Sequence, residues 1–271
     1  MRDGTCHIHG FEVTARVYGP DDDAPVVVLV HGMMEPPEVW SGVLARLRDR
    51  YRCVVLDLPW NGRQGGFWGE ILCSEDWLRE ALDAFQLQPD AWVAHSFGAS
   101  TVLALLARDA AFDRVPVALI SPFYKVSSQD VTWPLFQRYV NEFTDFVELS
   151  IRLRRRRAAL DPDVLRRMTE AARDSFGCYV WMNFWQLFAR MPFLPLRHLT
   201  QPVLVLSGDE DFSSPLADAQ ALRAALPNAA LEVHRGCGHF LLSCREQESA
   251  VAIDRFLVRT CQAPEVFSAA A

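Results

Sequence analysis

The stretch VAHSFGAS (93–100) sets Ser96 between an apolar run and a string of small residues. A serine at the tip of a strand that turns at once into a helix sits on a sharp, strained bend. Such a bend is tolerated only where its flanking residues are small, and it leaves the hydroxyl exposed for reaction. The hydroxyl is a weak nucleophile until a base takes its proton, and a histidine base needs a carboxylate to fix its tautomer. A reactive Ser96 therefore requires an acid and a histidine elsewhere in the chain. LSGDEDFSSP (206–215) offers Asp209, Glu210 and Asp211, and RGCGHFLLSCRE (235–246) offers His239 between flexible glycines. Each motif alone also has a plain structural meaning: a packed turn, a solvated acidic loop, an ordinary histidine.

Ala94, His95, Ser96, Phe97 and Gly98 form the pattern G-x-S-x-G with alanine for the first glycine, and in this the chain resembles the α/β-hydrolase family. That resemblance implies the chain order nucleophile, acid, base, each after a successive strand. Ser96 is then the nucleophile and His239, in a G-x-G-H-F loop, the general base. Asp211, framed by Gly208 and Pro215 in a G-x-x-D-x-x-x-P turn, is the expected acid. A register shift of two would give that role to Asp209. The oxyanion hole is expected from the backbone N–H groups of Phe97 and of Met33, the latter in HGMMEPPEVW (31–40), where His31 and Gly32 shape the turn and Trp40 packs. DLPWNGRQGG (57–66) resembles a family loop but carries Trp60 in place of a glycine, so Trp60 is expected to form one wall of the substrate pocket. His7, His9, His31, His198 and His234 match no base motif, and His95, next to the serine, is expected to point away from it.

These residues need a scaffold. A half-exposed strand is predicted over 8–18, a continuous β-branched run of the kind buried on both faces over 25–32, and further strands over 52–59, 91–96, 115–122, 201–211 and 229–236. Helices are predicted over 38–49, 74–85, 98–109, about 215–225 and about 243–259. Strands alternating with helices imply right-handed crossovers and a mostly parallel central sheet flanked by helices, an α/β fold of the α/β-hydrolase type. The alternation stops between Pro122 and Leu199. Residues 1–121 and 199–262 are therefore assigned to the core, 122–198 to an inserted helical cap, and 263–271 to a flexible tail.

The insert is rich in large aromatic residues, which suit an apolar ligand cavity as well as packing. Phe123, Trp181 and Trp185 are the expected substrate-facing members. RLRRRR (152–157) reads first as a solvated helix face. Its sharper reading is a dock for the negative charge of an acyl carrier protein or a coenzyme A thioester, a contact that added salt should weaken.

Composition narrows the classes. A net charge of −7 disfavours nucleic acid as a partner. Seven scattered cysteines without a CxxC pair suggest neither a disulfide framework nor a zinc site. With no secretory or bilayer-spanning apolar run, the chain reads as cytoplasmic and free of membrane. The expected activity is that of a serine hydrolase, without metal or cofactor, on an ester, thioester or other activated carbonyl with a substantial apolar part. A lyase, cyclase or acyltransferase on the same fold is the alternative, and a catalytically silent binding protein a further one.

Overall fold

Hydrophobic strands that can pair in parallel only through crossovers assemble here into one eight-stranded sheet. The computed structural model describes residues 3–20, 23–154 and 160–261. The strands are β1 (Gly4–Ile8), β2 (Phe11–Tyr18), β3 (Val26–Val30), β4 (Arg52–Asp57), β5 (Ala91–His95), β6 (Val117–Ile120), β7 (Val203–Gly208) and β8 (Ala229–His234). Their spatial order is β1-β2-β4-β3-β5-β6-β7-β8. β1 pairs with β2 and β2 with β4 in antiparallel fashion, and every other pairing is parallel.

The predicted strand at 8–18 is in fact a hairpin. His9 and Gly10 have φ of 49° and 85°, the left-handed pair that a two-residue turn requires, so the chain folds back and residues 4–8 form an edge strand the sequence reading did not find. The β-branched run of β3 behaves as expected. Val28 and Val30 enter the apolar layer on one face of the sheet, while Val27 and Leu29 enter the layer on the other. Each such fully buried side chain contributes about 1.5–3 kcal/mol.

The helices are α1 (Ser41–Leu47), α2 (Trp68–Ile71), α3 (Ser74–Ala84), α4 (Ser96–Leu106), α5 (Trp133–Arg154), α6 (Pro162–Arg190), α7 (Leu216–Ala225), α8 (Leu241–Cys244) and α9 (Glu246–Cys261). Residues of α1 and α9 pack on one face of the sheet and residues of α3, α4 and α7 on the other. Between β6 and β7 stand the two longest helices, α5 and α6. α6 is started by Asp161, whose side chain caps the N–H groups of Asp163 and Val164, and it is broken at Gly177, where φ is +63°. Among the described residues no strand lies in this stretch. Of the arginine run, residues 155–157 lie outside the described residues, as does the tail 263–271; Arg152 pairs with Glu148 one turn earlier at 2.7 Å. No helix among the described residues is long and apolar enough to cross a membrane.

Candidate active site

In a parallel sheet the loops that leave the carboxyl ends of the strands gather at one edge, and side chains distant in sequence meet there. Ser96 follows the last residue of β5 and opens α4. Its φ is +54°, an αL conformation that costs a non-glycine residue energy and persists only where the surroundings over-determine it. Gly98 is part of what permits it: a Cβ there would collide with the carbonyl oxygens of His31 and Val30.

The structure brings the three expected side chains together. Ser96 Oγ lies 2.7 Å from His239 Nε2, and His239 Nδ1 lies 2.8 Å from Asp211 Oδ2. Asp211 and His239 are buried. Asp211 Oδ1 accepts from the Ser213 N–H at 2.9 Å, the Ser213 hydroxyl at 2.9 Å and the Ser214 N–H at 2.8 Å. Burial alone would raise the carboxyl pKa. The charge and N–H of His239 and the donors of Ser214 and Ser213 outweigh it, so the group titrates below its ordinary value. An ionised Asp211 holds the proton on Nδ1 and leaves Nε2 free to accept from Ser96. Asp209 is exposed and accepts the N–H of Gly236 at 2.7 Å, so it braces the loop of His239 from outside.

Met33 and Phe97 line the cavity that holds Ser96. The Phe97 N–H belongs to the first turn of α4, where a helix offers no internal acceptor and its dipole favours negative charge.

Two buried histidines flank the site in opposite protonation settings. His31 Nε2 accepts the N–H of Leu58 at 3.0 Å while Nδ1 donates to the Gly32 carbonyl at 2.7 Å. That is a neutral ring, and burial above all lowers its pKa. His95 points away from Ser96, as expected, but into a partner the sequence reading missed. Its Nδ1 lies 2.7 Å from Glu35 Oε2 and its Nε2 3.2 Å from the carbonyl oxygen of His239.

The cavity is lined chiefly by aromatic rings. Phe123 and Trp181 are among them, as expected. Trp60 is not: it lies under the elbow, fully buried, with Nε1 donating to the His31 carbonyl at 3.0 Å and its ring edge against Phe97. Trp185 faces a surface groove with Trp133, Phe136 and Met182, which Trp181 also borders. Tyr139, Glu142, Phe143 and Phe146 of α5 line the cavity and went unnamed, although their spacing of three and four marks a single helix face. Phe176, Phe184, Phe212 and Ser213 also line it, and the Tyr139 hydroxyl donates to the Ser213 carbonyl beside Asp211.

The sequence profile of the alpha/beta hydrolase family matches residues 27–252. Over 93% of its length the chain is 22% identical to an uncharacterized protein of Mycobacterium tuberculosis, of which the match covers 80%. Among solved structures, the enol-lactonase from Burkholderia xenovorans LB400 superimposes with a TM-score of 0.65 at 21% identity, covering 94% of this chain and 100% of that one. A thermophilic esterase from Thermogutta terrifontis superimposes with a TM-score of 0.60 at 18% identity, covering 96% of this chain and 99% of that one. Likenesses at such identity establish the fold.

Proposed function

This chain belongs to the alpha/beta hydrolase family, and from that premise we propose that it is a serine hydrolase acting on an ester, thioester or other activated carbonyl with a largely apolar part. The observation that carries this reading is the hydrogen-bonded chain from Ser96 through His239 to Asp211, opening into an aromatic cavity. His239 takes the Ser96 proton as Oγ attacks the carbonyl carbon, and the imidazolium is stabilised by Asp211. The oxyanion is received by the N–H groups of Phe97 and Met33. Collapse of this intermediate expels the alcohol or thiol with the proton from His239, leaving an acyl-serine. Water, deprotonated by His239, then releases the acid and restores Ser96. These steps balance with side chains and water alone. Residues 122–198 serve as the cap that excludes bulk water from them.

The test is a panel of p-nitrophenyl esters and acyl thioesters of graded chain length, run beside fluorophosphonate labelling with the adduct located by mass spectrometry. Turnover with an adduct at Ser96 is the expected result. No turnover and no adduct would overturn the reading.

Charge in the lining of the cavity refines the substrate class. Among the described lining residues Glu142 carries the charge; it is part-exposed and 3.9 Å from Arg138, too far for a tight pair. A carboxylate on the distal end of a substrate should meet repulsion of about 1–2 kcal/mol there, roughly tenfold in kcat/KM. Comparing a neutral acyl ester with its ω-carboxylate counterpart is expected to show that preference, and Glu142→Gln, which removes the like charge, to abolish the greater part of it. An unchanged ratio in the variant would refute the assignment.

A further inference from the structure

We propose that His95 and Glu35 are positioning residues, a buried imidazolium–carboxylate clamp that ties the loop presenting Met33 to the loop presenting His239 through the immediate neighbour of the nucleophile. The proposal rests on the serine-hydrolase reading for its purpose, and on geometry for its content.

Both ring nitrogens of His95 face acceptors: Glu35 Oε2 at 2.7 Å and the His239 carbonyl at 3.2 Å. Beside an ionised Glu35, a neutral imidazole with its single N–H would set a lone pair against one of those oxygens, so with that carboxylate the arrangement is satisfied by the doubly protonated ring. His31, by contrast, faces one donor and one acceptor, which a neutral ring satisfies. Glu35 Oε2 also accepts the Gly32 N–H at 2.8 Å, which fixes the turn that carries Met33. The pair thus joins the loop after β3, the end of β5 and the loop after β8. Both side chains are buried, at 1% and 9% exposure, so neither charge is stabilised by water and each depends on the other.

The groups facing the pair agree with this state. Burial would neutralise both partners. The charge and hydrogen bond of Glu35, the His239 carbonyl and the more distant Asp211 raise the His95 pKa, while the charge and hydrogen bond of His95 and the Gly32 amide hold Glu35 at about 2. The stabilising contribution of Glu35 is present above its unfolded value of 4.5 and lost as pH falls toward about 2. That of His95 is complete below its unfolded value of 6.5 and fades as pH rises through the raised folded value.

An ordinary core ion pair would hold the fold without touching turnover, whereas a clamp on two catalytic loops sets their separation. A misplacement of about 1 Å costs roughly a hundredfold in rate. Glu35→Gln keeps an acceptor for Gly32 but removes the charge, so His95 loses one proton and its bond to the His239 carbonyl. The expected result is a fall in kcat of about 10–100-fold with KM within about threefold, and loss of the alkaline decline in melting temperature.

The deciding measurement is the ¹⁵N spectrum of the imidazoles at pH 7.5 in wild type and in Ser96→Ala, with His95 assigned by its loss in His95→Gln. Two protonated nitrogens on His95 are expected in both. A singly protonated His95, or a Glu35→Gln enzyme with kcat within threefold of wild type, overturns the clamp. A doubly protonated His95 in a protein that turns over no ester overturns the hydrolase reading and, with it, the positioning role. Should Glu35→Gln fail to fold, the wild-type spectrum still decides the protonation on which the clamp depends.

Discussion

Ser96→Ala is expected to lower kcat by roughly 10⁶-fold, with no burst of product and no fluorophosphonate adduct. The whole proton relay ends on that hydroxyl, so removing it leaves only the oxyanion donors and the cavity to act on a bound carbonyl. Stability should scarcely move. The substitution gives up one hydrogen bond to His239 Nε2, worth about 1 kcal/mol, and alanine inherits the same φ of +54° that serine already bears. A melting temperature close to wild type separates lost chemistry from lost fold. Residual turnover above about 1% of wild type, with contamination excluded by titrating active sites, would assign the nucleophile elsewhere.

Asp211→Asn should cost about 10⁴-fold in kcat, and Asp209→Asn less than about threefold. The reason lies in what surrounds Asp211 Oδ1. It accepts from two backbone N–H groups and a hydroxyl, so an asparagine at 211 will place its carbonyl oxygen there and turn its NH₂ toward His239 Nδ1. Nδ1 must then accept, the proton moves to Nε2, and Nε2 can no longer take a proton from Ser96. The Asp209 side chain accepts the Gly236 N–H, and an asparagine amide oxygen can replace it there. Steady-state kinetics on both variants decide the matter, and equal losses would show that the acid had been misassigned.

What the sequence determined by itself is what contiguous residues can enforce. Ser96 was legible because the elbow is a local steric problem, solved by Ala94, Gly98 and Ala99 within a few positions. His239 was legible because its place in the chain follows from the serine and the order of strands. The strand and helix alternation is legible because the buried strands are short apolar runs, most plainly the VVVLV of β3, and the exception is at His9–Gly10, where two positive φ values turn one expected strand into a hairpin. Direction in space was not legible. Trp60, Trp181 and Trp185 are chemically alike, yet docking of the elbow loop and of α6 sends the first beneath Phe97, sets the second between the cavity and an outer groove, and leaves the third on that groove alone. Asp209 and Asp211 sit in one turn, and only the approach of the loops after β7 and β8 turns Asp211 toward His239. Glu35 and His95 lie 60 residues apart, and neither is unusual alone. Their pairing, and the charge it imposes on a buried ring, exists only because neighbouring parallel strands bring β3 and β5 side by side and leave two acceptors facing one imidazole.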